Sequence, residues 1–175
     1  QESRFSPAAG SAAGARGLMQ VMPQTARWLA QEKGWHGYEP AWLDEPQRNI
    51  LLGTRYLKRL RSDLGSSVLA VAGYNAGPGR ATAWRGPRAL EGAIYAETIP
   101  FDETRDYVKR VMMARLHYGE LLDRAPQRLT QTLGVVPAQK APTATSVAQR
   151  APQKPASAAL AQAAQTRSSS ARSPT

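Results

Sequence analysis

Ser66-Ser67-Val68-Leu69-Ala70-Val71-Ala72-Gly73-Tyr74-Asn75-Ala76-Gly77 is the stretch on which the fold turns. A serine at its head offers an oxygen to the free amides of a helix start, apolar residues follow, and Asn75 and Gly77 relieve the left-handed backbone geometry of a helix end. The pattern predicts a helix over 68–74, capped by Ser66 or Ser67.

The same punctuation recurs outward from this stretch. Upstream, Asp44 is placed to cap a longer helix with Glu45 and Pro46 in its first turn, and Ile50, Leu57, Leu60 and Leu64 recur near helical spacing until Gly65. Earlier still, Pro23 fits a first helical position, residues 25–33 put Trp28 and Leu29 on one side, and Gly34 stops the run. Downstream, a last long helix is expected from about Glu103 to Leu122, with Tyr107, Val108, Val111, Met112 and Leu116 as its buried stripe. No alternating, β-branched run is long enough to claim a sheet. The fold class is therefore mainly α: amphipathic helices need partners, so a compact helical domain with long functional loops is the expected architecture. Trp28, Trp35, Trp42 and Trp84 read as core or cleft-rim residues.

The chain has 175 residues with 42% hydrophobic content, enough for one domain plus an appendage. No stretch approaches the ~18 consecutive apolar residues of a membrane span, and Gln1 to Pro7 lack the order of a signal peptide. The chain starts without Met, which reads as a fragment or processed product with any targeting signal upstream. The absence of cysteine excludes disulfides, a thiol nucleophile and a thiolate metal site, and His36 and His117 sit in no metal-ligand spacing, so neither metal nor cofactor is expected.

A net charge of +10 suggests nucleic acid until it is divided along the chain. Residues 1–123 hold 16 basic and all 13 acidic side chains, and residues 124–175 hold the other seven basic ones and no acid. From about Pro126 the composition shifts to Ala, Pro, Gln, Ser and Thr without aromatics. Residues 124–175 are therefore expected to be a disordered basic tail behind a domain of residues 1–123. A solvated linker is the favoured reading of the tail. Weak attraction to anionic polymers such as peptidoglycan, teichoic acid, lipid head groups or nucleic acid is the alternative.

Four segments combine polar groups with backbone-permissive residues: Gln1-Glu2-Ser3, Gly17-Leu18-Met19-Gln20, Gly73-Tyr74-Asn75-Ala76-Gly77, and Ile99-Pro100-Phe101-Asp102-Glu103-Thr104-Arg105 with Tyr107. Singly, each has a plain structural reading. A lone Glu is usually a solvated charge, Gly-Leu-Met-Gln a helix start, Glu103 an acid favoured in a helix's first turn, and Arg105 a surface or ion-pair residue.

Together, and in this order, they resemble the soluble lytic transglycosylase family (SLT domain, lysozyme-like) over roughly residues 1–122. The resemblance implies a lysozyme-like helical domain and Glu2 as the catalytic residue. It further implies saccharide contacts from Ser11, Gln20 and Met22, a cleft-side pair in Tyr74 and Asn75, a sugar-gripping role for Glu103, and Tyr107 at the family's spacing. Met19, Met22 and Tyr74 are then candidates for an apolar wall beside the acid. Two departures stand out: Gly73 occupies a position where the family usually has alanine, and the helix that ends at the family's catalytic Glu would have to come from residues before Gln1.

Most glycosidases need two carboxylates, and these motifs offer one. The resemblance resolves this, because the C6 hydroxyl of N-acetylmuramic acid itself attacks the anomeric carbon and forms a 1,6-anhydro sugar without water. The implied activity is cleavage of the β-1,4 bond between N-acetylmuramic acid and N-acetylglucosamine, on peptidoglycan glycan strands in the periplasm or cell envelope. The alternatives are a lysozyme-like muramidase using water, a non-catalytic wall-binding module and, last, a nucleic-acid binder driven by the tail; specific nucleic-acid binding is not expected.

Overall fold

A computed structural model of the chain describes residues 2–122 and 128–139. Helix α1 (Pro23–Glu32) opens as expected, with Pro23 at its first position behind an extended Met22, and buries Thr25, Ala26, Leu29 and Ala30. Proline costs nothing there, since the first amides of a helix have no internal partner. A 3₁₀ turn (Pro40–Asp44) buries Leu43 and leads into α2 (Pro46–Leu64), which stops at Gly65 in the left-handed conformation, φ 72°.

The expected cap of α2 is corrected. Glu45, not Asp44, holds the N-cap position and makes no side-chain cap. Asp44 closes the 3₁₀ turn, and its carboxylate is drawn to the guanidinium of Arg16 instead. The buried face of α2 is Asn49, Leu52, Gly53, Tyr56, Leu60 and Leu64, while Ile50 lies 46% exposed. Leu60 and Leu64 lie inside as expected and Leu57 is half-buried, but the first turn of the helix directs Asn49 rather than Ile50 to the core.

Helix α3 (Ser67–Ala76) begins after Ser66, which has cap backbone geometry but no side-chain cap bond. Every residue from 68 to 74 is buried, because α2, α4 (Pro78–Ala83) and the later helix α6 all pack on it. A helix enclosed on all sides must be apolar all round. Asn75 stays helical, and the positive φ of 94° falls on Gly77 alone. After a short strand β1 (Leu90–Glu91) and α5 (Gly92–Thr98), helix α6 (Asp102–Leu121) begins with Asp102 and Glu103 in its first turn, where acids oppose the helix dipole favourably. Its buried residues are Thr104, Tyr107, Val108 and Met112, and Val111 and Leu116 are half-buried. The four tryptophans are all half-buried; Arg48, Arg55 and Arg59 lie over Trp42, Trp35 and Trp28, and Trp84 meets Phe101 edge-on.

The expected domain limit at residue 123 is also corrected. Helix α7 (Leu129–Leu133) and strand β2 (Val135–Val136) return to the body, with Leu133 and Val136 in the core and β2 antiparallel to β1, Leu90 opposite Val136. The Gly92 amide donates to Gly134 O at 2.7 Å. A Cβ on Gly92 would lie 2.6 Å from Leu133 O, so glycine allows this return. Pieces of five and two residues are too short to carry a readable period. The rest of the expected tail, residues 124–127 and 140–175, lies outside the described residues. Among the described residues no helix is long and apolar enough to cross a membrane.

Candidate active site

Residues 2–22 fold by turns and single bridges, Gly10 with Arg16 and Arg16 with Val21. Ser11 tightens the turn that follows it: its Oγ accepts from the Ala15 amide at 3.0 Å, and its own amide donates to Ala15 O at 2.9 Å. Gln20 is buried, and its Nε2 donates to Ala9 O (2.8 Å) and Gly17 O (2.9 Å), stitching two passes of the loop together. The φ of 46° at Gln20 is unusual for a residue with a side chain, and these bonds hold it there.

The loop is fixed to α2 by a residue that sequence reasoning missed. Asn49 is fully buried; its Oδ1 accepts from the Met19 amide at 2.7 Å, and its Nδ2 donates to Arg16 O (2.9 Å) and Leu43 O (2.8 Å). Two glycines permit the approach. A Cβ on Gly17, whose φ is 74°, would lie 2.1 Å from Asn49 Nδ2, and one on Gly53 would lie 2.6 Å from Met19 Sδ. The available signal was a polar amide three and seven residues before Leu52 and Tyr56, on the buried face of an otherwise apolar stripe.

Three of the expected residues meet. Glu2 is half-buried, and the hydroxyl of Tyr107 on α6 donates to its Oε1. Burial first, then the Glu2 charge and this hydrogen bond, push the Tyr107 phenol well above its ordinary range. Tyr74 on α3 is raised likewise, by burial and then by the charges of Glu2 and Tyr56. Both phenols therefore stay neutral at any physiological pH. Among the described residues, Glu2 is the acid whose charge reaches these two tyrosines. Tyr74 also donates to Met19 O at 2.8 Å and packs against Tyr56, ring centres 5.4 Å apart.

Gln20, Met22 and Tyr74 line one narrow cleft, with Val21, Thr25 and Tyr56. Asn75 is half-buried and accepts from Thr104 Oγ1 at 2.7 Å, which ties the end of α3 to the first turn of α6. Glu103 is exposed beside that tie, and Ser11 is exposed and, among the described residues, makes only local bonds, so neither is drawn into the Glu2 cluster. Arg105 is the ion-pair residue expected: it pairs with Asp102, and its NH1 donates to Ile99 O at 2.8 Å. The arrangement presents one carboxyl, steadied by a phenol, whose charge also reaches Tyr74 on the wall of the cleft, which suits transfer of a single proton to and from a bound group.

The family model of the transglycosylase SLT domain matches residues 1–93. The chain belongs to that family. A second model, the soluble lytic transglycosylase helical domain, matches residues 98–127 of this SLT chain. It is 38% identical over 136 residues to the soluble lytic murein transglycosylase of Escherichia coli K12, covering 75% of this chain and 21% of the relative. The Salmonella typhimurium protein of the same description is 42% identical over 126 residues, 70% of this chain and 20% of the relative. Among solved structures, an inactive mutant of the lytic transglycosylase Slt of Pseudomonas aeruginosa superposes with a TM-score of 0.68 at 44% identity, over 73% of this chain and 21% of that one. The 70 kDa soluble lytic transglycosylase of Escherichia coli gives 0.66 at 34% identity, over 85% and 23%. The SLT chain thus spans about a fifth of the length of these relatives.

Proposed function

We propose that this SLT domain is a peptidoglycan lyase, cleaving the β-1,4 bond between N-acetylmuramic acid and N-acetylglucosamine with formation of 1,6-anhydromuramic acid. The observation that carries the reading is the Glu2, Tyr74 and Tyr107 cluster, in which one carboxyl is hydrogen-bonded by a phenol and its charge reaches Tyr74, a residue of the cleft wall. Glu2 gives its proton to O4 of the departing N-acetylglucosamine as the bond from that oxygen to the muramyl C1 breaks. The muramyl C6 hydroxyl oxygen bonds to C1, and its proton returns to Glu2. The cycle closes with no second carboxylate and no water consumed.

Tyr107 orients the Glu2 carboxyl between the two transfers. Gln20 has committed both its donor contacts to the loop, which leaves its oxygen to accept from sugar, and Met22 supplies an apolar edge to the cleft. Ser11, Asn75 and Glu103 are assigned to sugar contact farther from the bond that breaks, with no metal or cofactor in the scheme. Peptidoglycan glycan strands are the partner, which places the reaction in the periplasm or cell envelope.

Digestion of purified sacculi followed by mass spectrometry of the released fragments tests the reading. Muramyl ends lighter by one water are expected. Reducing-end muramic acid would instead show a hydrolase, and sacculus binding without any release would show a binding module.

A further inference from the structure

Met19 is held from both sides of its own backbone: its N–H donates to Asn49 Oδ1, and its C=O accepts from the Tyr74 hydroxyl. The Asn49 amide has one workable orientation. Turning it over would set its NH₂ against the Met19 N–H and its oxygen against the carbonyls of Arg16 and Leu43, losing three hydrogen bonds in a fully buried place. The close approach of Gly17 to Asn49 and of Gly53 to Met19 leaves this arrangement no slack.

A consequence follows for the protons of the site. A carbonyl oxygen only accepts, so Tyr74 must spend its single hydroxyl proton on Met19 O. Only lone pairs remain on Tyr74 Oη for any further partner. Tyr107 does the opposite and spends its proton on Glu2. The two phenols that feel the Glu2 charge therefore differ in kind, one a donor to the carboxyl and the other an acceptor.

We infer that Asn49 is a positioning residue for the cleavage. By locking the Met19 peptide it commits the Tyr74 proton away from the cleft, so that Tyr74 Oη stands as an acceptor for a sugar hydroxyl bound beside Glu2. The inference rests on the proposed lyase reaction and assigns a task within it to a residue that touches no substrate.

A double-mutant cycle tests it in the full 175-residue chain, with kcat and KM measured on purified glycan strands. Asn49→Ser is expected to lower kcat ~10- to 100-fold, the scale of a small misplacement of a working group, with KM little changed. In a Tyr74→Phe background the same substitution should cost under ~2-fold, because the hydroxyl it acts through is already gone. Since Asn49→Ser also opens a cavity, Gly53→Ala provides a second route: it displaces Met19 while leaving every Asn49 atom in place, and it should show the same loss of effect in Tyr74→Phe. Equal costs in both backgrounds, by either route, would mean that Asn49 merely supports the fold, and the inference would fall. A wild-type chain that releases no anhydromuramyl ends would instead overturn the lyase reading itself, a result separable from the cycle.

Discussion

Residues 2–22 and helix α3 approach the same carboxyl from opposite starting conditions. The N-terminal segment is built of turns, with Arg4, Phe5 and Gln20 all at positive φ and residues 4–8 exposed. Helix α3 is buried from residue 68 to 74 and packed chiefly by α2, α4 and α6. The acid sits on the first and Tyr74 on the second, while Tyr107 comes from α6, which also packs on α3. The difference shows how a loop residue is made precise. Its backbone supplies little order of its own, so side chains delivered by rigid helices fix its position. A phenol on a buried helix has little freedom to lose, and a hydrogen bond from it costs correspondingly little to form.

The comparison breaks most sharply at Glu2. Glu2→Gln keeps the size of the side chain and removes the transferable proton, so anhydromuramyl release should fall by about 10³-fold with the melting temperature unchanged. Any activity near wild type would move the chemistry to another residue. On the helix side, Tyr107→Phe deletes only the donor to Glu2, and kcat should drop ~10- to 100-fold, matching a hydrogen bond to a charged group. A change confined to KM would mean that the phenol holds sugar rather than the acid.

Gly17→Ala asks how far the loop depends on α2. A methyl group at φ 74°, directed at the Asn49 amide, should destabilise the fold by roughly 2–4 kcal/mol in chemical denaturation. An unchanged midpoint would show that the loop docks in another way.

Alkaline melts probe the helical side. Burial pushes the Tyr56 and Tyr95 phenols up to about 12, against an ordinary value of 10.0. The unfolded chain then ionises first as pH rises, so stability should be level below pH ~10 and fall from there through pH 12, with Tyr56→Phe removing part of the slope. The smallest effect is expected at the exposed edge of the N-terminal segment: Asp44→Asn removes the ion pair to Arg16, whose side chains are 47% and 40% exposed, and stability should change by less than ~1 kcal/mol.

How much was legible follows the range of the interactions. Pro23, Gly34 and Gly65 mark helix limits by their own backbone chemistry, and the structure stops and starts where they stand. The reading of Asp44 failed because its carboxylate answers to Arg16, 28 residues away. Ile50 was placed inside because hydrophobicity alone does not tell which of two adjacent stripes meets a neighbour. Short α7 and β2 were absorbed into a tail by composition, although Leu133 and Val136 close the core. At the site, Glu2, Tyr74 and Tyr107 stand out through their motifs and meet in the structure, whereas Asn49 does not stand out, since its partners are the backbones of Arg16, Met19 and Leu43.

The sequence by itself determined that this protein is mainly helical and carries the motifs of an SLT domain, because helix punctuation and motif identity are properties of residues close in the chain. Only the tertiary structure decided that Tyr107 gives its proton to Glu2 while Tyr74 gives its own to Met19, and that Asn49 holds that peptide in place. The direction of a hydrogen bond depends on which acceptor stands within reach, and α3 and α6 carry the two hydroxyls from far along the chain to acceptors on residues 2–22.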